Sequence, residues 1–194
     1  MKRLLLILIL TFSFQSWAKA DDIRDFEIEG MSVGDSLLNF FSEKEINKKI
    51  NSKSTYWYSN NTYVSILIQS ENFKTYEEIG AVFNPKDNEF ILQSIEGTFN
   101  YGSKINECYK KQNIITEDLK KTFSNTTEFK TYTRKYTADK TGKSTSKYNR
   151  FTFSNGSAIS VVCYDMDKDF FDPNDQLYLA ISSEKYMEWI DKYN

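Results

Sequence analysis

The side chains that could do chemistry fall into three groups, and none includes histidine, which the 194-residue chain lacks entirely. Its absence removes Ser-His-Asp and Cys-His relays, His metal sites and the usual side chain that titrates near neutrality. Carboxylate, lysine and tyrosine chemistry remain, so enzyme activity is disfavoured. The first group is acidic: Asp165, Asp167 and Asp169 alternate, with Asp172 and Asp175 close behind. Oxygen-rich loops bind Ca²⁺, but an EF-hand loop needs Gly and a bidentate Glu where this chain has Phe170 and Gln176. The expectation is therefore no metal and no cofactor, with the aspartates read as a solvated strand edge. The same carboxylates could instead form an acid/base pair for glycoside hydrolysis.

The second group is basic and aromatic. Lys130, Arg134, Lys135, Lys140, Lys143, Lys147 and Arg150 face a single acid, Asp139, over residues 130–150. Alternate residues of a strand share a face, which puts Lys130, Tyr132, Arg134 and Tyr136 on one side. Cations beside rings can stack on sugars or meet an acidic partner. The candidate binding set is Lys130, Tyr132, Arg134, Tyr136, Lys147 and Arg150; its plain alternative is the solvent face of a sheet. Tyr56-Trp57-Tyr58 would likewise send Trp57 to one face and both tyrosines to the other.

The third group is a pair of cysteines, Cys108 and Cys163. In an exported chain an even pair reads as a disulfide. Export is the expectation here. Lys2 and Arg3 precede an apolar run, Leu4 to Phe14, and Ala18-Lys19-Ala20 supplies small residues for a signal peptidase. That run is about half the ~20 residues a membrane span needs, and no later segment is long and apolar enough. Residues 1–20 are read as a signal peptide and the chain after cleavage near Ala20 as periplasmic or extracellular. The formal net charge of −2 becomes more negative once Lys2, Arg3 and Lys19 leave, which argues against generic nucleic-acid binding.

The elements that must position these groups are legible from pattern. Val33, Leu37, Leu38, Phe40 and Phe41 approximate one helical face, and Ser42-Glu43-Lys44-Glu45 has the form of a capping box opening a second helix. Tyr56-Trp57-Tyr58, residues 62–68, 76–83 and 89–98 read as strands, the last two joined by a turn at Asn84-Pro85-Lys86-Asp87-Asn88. The order then restarts. Ile95-Glu96-Gly97 echoes Ile28-Glu29-Gly30, Ile105, Cys108, Tyr109 and Gln112 share a helical side, and Thr116 can cap a further helix. Residues 128–138, 147–154, 157–164 and 176–181 read as strands, with Asn155-Gly156 the strongest hairpin signal. Ser183 can cap a closing helix carrying Tyr186, Trp189 and Ile190.

The expected class is α+β: two tandem helix-helix plus antiparallel three- or four-stranded sheet units, residues 21–98 and 99–194, with a short C-terminal helix. This element order resembles the tandem modules of the β-lactamase-inhibitor-protein type, a likeness of arrangement that carries no function. The words Asp25-Phe26-Glu27-Ile28-Glu29-Gly30-Met31-Ser32-Val33-Gly34 resemble small exported proteins of marine alphaproteobacteria. So do Val162-Cys163-Tyr164-Asp165 and Ser182-Ser183-Glu184-Lys185-Tyr186-Met187-Glu188-Trp189-Ile190. That resemblance implies export and a shared fold and transfers no functional residue. The functional expectation is a non-enzymatic periplasmic binding module that contacts an envelope protein or glycan. Its alternatives are a carboxylate-dependent hydrolase of envelope glycans and a structural envelope component.

Overall fold

The computed structural model describes residues 23–123, 127–170 and 175–193; the signal-peptide reading and Asp172 lie outside them. The class is α+β, but the strands do not form two separate sheets. Eight strands make one antiparallel sheet in the order β1-β2-β3-β4-β8-β7-β6-β5. The first half supplies β1 (Tyr56–Trp57), β2 (Val64–Ile68), β3 (Glu78–Phe83) and β4 (Leu92–Gly102). The second supplies β5 (Thr127–Lys135), β6 (Thr145–Phe153), β7 (Ala158–Asp165) and β8 (Asp175–Ser182). The halves fuse because β4 and β8 pair from Ser94↔Ser182 to Gly102↔Asp175, so neither half keeps an edge at the centre. Thr98 lies inside β4.

The helix pairs expected in each half also differ. Helix α1 (Glu43–Ile50) opens on the capping box, with the Glu45 carboxylate accepting the Ser42 N–H at 2.8 Å and Ser42 Oγ accepting the Glu45 N–H. The stretch before it is a single 3-10 turn, Leu37–Asn39. The chain around it is held as an irregular edge, because Gly34 and Leu37 donate their N–H groups to Leu92 and Phe90. In the second half one helix, α2 (Ile105–Thr122), runs straight through Thr116. The Thr116 hydroxyl donates to the Gln112 carbonyl one turn back, which binds the side chain to the helix it was expected to interrupt. Helix α3 (Glu184–Tyr193) closes the chain, with Ser183 Oγ accepting the Tyr186 N–H.

One face of the sheet carries the main core. Ile66, Ile79, Phe83, Ile95, Phe151 and Ile159 point into it beneath α1 and the N-terminal segment. Beside it α2 is riveted to β7 by the Cys108–Cys163 disulfide, whose Cα atoms stand 6.0 Å apart, over Val161 and Leu177. Gly97 in β4 leaves room for the Tyr76 ring, which any Cβ there would overlap. Glu29 holds the segment carrying Tyr76: its carboxylate accepts the N–H groups of Lys74, Thr75 and Tyr76.

The opposite face takes the alternate residues. Helix α3 covers part of it, packing Tyr186 on Tyr63 and Val82, with Tyr58, Trp189 and Ile190 around them. The remainder of that face is left open between α3 and the outer strands. Among the described residues no helix is long and apolar enough to cross a membrane.

Candidate functional site, a tyrosine-lined trough

The open face becomes a trough because the sheet curves. Tyr56 from β1 and Tyr136 just beyond β5 come from opposite ends of the strand order, yet both line one cavity of about 320 Å³. A second cavity of about 190 Å³ runs beneath α3, bounded there by Tyr186, Met187 and Ile190. Tyr58, Glu96, Tyr164 and Tyr178 line both, so the two are lobes of one depression. The larger lobe alone reaches the lower end of the size range of small-molecule pockets, about 300 Å³.

Glu96 forms the floor. It sits in β4, facing the trough, while its neighbours Ile95 and Gly97 face the core side. Burial pushes its carboxyl up to about 7. No ion pair or hydrogen bond offsets that burial, and Glu96 is the only acidic residue lining either lobe among the described residues. The residue opposite it in β3 is Gly80, which leaves the carboxylate uncovered from that side. Ser94 and Ser182, which follow on the same face, satisfy each other at 2.8 Å.

The walls are aromatic. Tyr164 and Tyr178 lie ring to ring at 4.9 Å, Tyr136 meets Tyr164 edge-on at 6.0 Å, and Tyr58 meets Tyr186 edge-on at 5.8 Å. Burial raises the phenols of Tyr58, Tyr164, Tyr178 and Tyr186, and the Glu96 carboxylate adds to the rise in each. They therefore stay neutral hydroxyls that can donate or accept.

The far end of the α3 lobe is basic. Arg134 and Arg150 line it with Tyr148. The β5–β6 ladder sets Tyr132 opposite Tyr148 and Lys130 opposite Arg150. The tyrosines stack at 4.9 Å and 10°, and the two guanidinium groups lie 5.0 and 5.6 Å from the centre of the Tyr132 ring.

Of the six residues singled out from sequence, the structure gathers Tyr132, Arg134, Tyr136 and Arg150 on this face. Lys130 shares the face but pairs with Glu128 at 2.9 Å and lines neither lobe. Lys147 sits on the helix side, its ammonium 5.0 Å from the Tyr109 ring of α2. Arg150 and Lys147, three apart in one strand, had to part company. Trp57 and the flanking tyrosines do divide between faces: Tyr56 and Tyr58 line the trough and Trp57 does not.

The acidic segment is used within the fold. Lys143 reaches Asp167 at 3.6 Å and Asp169 at 3.7 Å, and Asp175 accepts the Met166 N–H. Among the described residues no three potential ligands gather as a metal site. Sequence reasoning missed Glu96 and the tyrosines Tyr164 and Tyr178. Their one available signal was strand parity: Glu96, Tyr164 and Tyr178 share a face once the strand partners are known.

The chain matches no protein-family model, no curated protein and no solved structure.

Proposed function

We propose that this chain is an exported, non-enzymatic binding module that takes a saccharide in the tyrosine-lined trough. The observation that carries the reading is the convergence of Tyr58, Tyr164 and Tyr178 on Glu96 in both lobes of one concave cavity. Sugar rings present C–H faces that pack on aromatic rings, and hydroxyls that need paired donors and acceptors. A floor carboxyl surrounded by neutral phenols offers both. Export is supported by the residue types of 1–20 and by a disulfide of the kind that persists in oxidising compartments.

The test is amide chemical-shift mapping of the disulfide-bonded protein with cellotriose, chitotriose and tri-galacturonate. Saturable shifts centred on Tyr58, Glu96, Tyr164 and Tyr178 are expected with at least one of them, weakened in Tyr164→Ala. A folded protein that responds to none of the three overturns the reading.

One observation favours the hydrolase alternative: a carboxyl raised to about 7 suits a general acid. Glycoside hydrolysis needs a second carboxylate across the bond. Glu78 lies diagonally from Glu96 in the β3–β4 ladder, but it accepts a hydrogen bond from Gln69 and lines neither lobe. The binding reading therefore expects no release of reducing ends from these oligosaccharides. Release that disappears in Glu96→Gln would replace it with the hydrolase.

A further inference from the structure

The two lobes of the trough are not alike. The larger is bounded by serine, threonine, tyrosine and Gly80 around Glu96, whereas the α3 lobe ends on two guanidinium groups. Neither Arg134 nor Arg150 is ion-paired to a carboxylate of the described residues. Arg150 donates through Nε to Ser160 Oγ at 3.3 Å, the one hydrogen bond of its guanidinium group among the described residues. Arg134 lies over Tyr132 at 5.0 Å and Tyr148 at 5.8 Å. Asp191 of α3 acts electrostatically on the Tyr132 phenol but is not ion-paired with either arginine. The Tyr132 hydroxyl beneath them is buried, lines neither lobe and has no hydrogen-bond partner among the described residues.

Two like charges over one ring repel. That repulsion is relieved by one event: an anionic group arriving in the lobe and accepting from the N–H donors of both arginines. Paired Arg forks are suited to planar anions, and charge-assisted bonds are the strong ones. A free inorganic anion would use this end alone. The stacked tyrosines and the continuous passage to Glu96 fit a ring attached to that anion.

Resting on the saccharide reading above, we infer that the ligand is an acidic saccharide whose carboxylate seats between Arg134 and Arg150 while its rings lie along the tyrosines toward Glu96. The basic end sets polarity: one carboxylate goes beneath α3 and the rest of the saccharide runs toward Tyr56 and Tyr136.

The experiment compares tri-galacturonate with its fully methyl-esterified form, which keeps the rings and removes the charge. Calorimetric titration is run on the disulfide-bonded wild type, Arg134→Ala and Arg150→Lys. Arg150→Lys retains charge and stem packing, so it keeps the test valid if an alanine there were poorly folded. The acid is expected to bind at least about tenfold more tightly than the ester, one charge-assisted pair being of that size. Each variant should lose about tenfold for the acid and little for the ester. Equal affinity of acid and ester, or equal losses for both in the variants, overturns the inference and leaves the saccharide trough standing. Binding of neither probe, with folded protein, overturns the inference and counts against the trough as well.

Discussion

Gly80 stands opposite Glu96 in the β3–β4 ladder, and a Cβ placed on it would lie 3.3 Å from Glu96 Oε2 and 3.5 Å from Ser65 Oγ. The glycine is thus a missing wall: it exposes the floor carboxyl to the larger lobe. A glycine inside a strand is ordinarily a loss of about 0.5–1 kcal/mol relative to alanine. Gly80→Ala should change unfolding free energy by less than about 1 kcal/mol, since the carboxylate end can yield. Gly80→Val should fill the lobe and abolish saccharide shifts at Glu96. Denaturant melts and shift mapping read the two effects separately, and a Gly80→Val protein that binds like wild type would reject the wall argument.

Glu96 should write its own signature on stability. Its carboxyl is raised from 4.5 to about 7 by burial. Facing it are the phenols of Tyr58, Tyr164, Tyr178 and Tyr186, and the charged groups of the same side include Glu78, Glu128, Lys130, Arg134 and Arg150 of the sheet and Asp191 of α3. Between those two values the folded state keeps a proton that the unfolded state gives up. Stability contributed by the protonated form is therefore present below about 4.5, lost as pH rises toward about 7, and flat above. Glu96→Gln should remove the slope and exceed wild type by about 3 kcal/mol near neutral-to-basic pH, with little difference in acid. The lack of histidine leaves this window unusually clean for urea titration across pH.

The disulfide joins residues 55 apart and sits on the helix side, away from the trough. On a chain-entropy account, the paired change Cys108→Ser with Cys163→Ser should cost about 3–4 kcal/mol. Because Val161 and Leu177 still pack around the site, the fold and the trough should survive. Calorimetric melts should drop while saccharide affinity at low temperature stays constant; a lost affinity would mean that α2 shapes the open face through β7.

Gly97 is the converse of Gly80, since its missing Cβ is occupied by the Tyr76 ring. Gly97→Ala should destabilise by about 1–3 kcal/mol, the usual cost of overpacking. Tyr76→Ala added to Gly97→Ala should recover part of the deficit on the same melts. Full additivity would place the cost elsewhere.

How much of this was visible in the residues alone divides along physical lines. Strand bodies such as Val64–Ile68 and Ala158–Asp165 were legible because β-branched and aromatic runs end in turn chemistry that acts locally. The face shared by Lys130, Tyr132 and Arg134 followed from parity within one strand, whereas Arg150 joins it only through the β5–β6 register. Glu96 was illegible because an acid alternating with Ile95 and Gly97 reads as solvent-facing; what buries it arrives from β7, β8 and α3. The echo between Ile28-Glu29-Gly30 and Ile95-Glu96-Gly97 shows the limit best. Three backbone N–H donors lower the Glu29 carboxyl, while burial raises that of Glu96. Identical words took opposite chemistry from their surroundings. Thr116 failed as a cap for a related reason, since its partner Asn149 comes from a distant strand.

The seam between β4 and β8 has a consequence in time. Ser94 and Ser182 meet across 88 residues, whereas every other neighbouring pair of strands lies within one half of the chain. Hairpins close quickly and long-range pairings slowly, because the intervening loop must first be gathered in. Each wing of the sheet can zip while its partner is still being made, but the floor beneath Glu96 waits for the last strand and the helix that follows. On the saccharide reading, a nascent chain would be blind to its ligand until β8 and α3 have been made, and competence would come in a single late step.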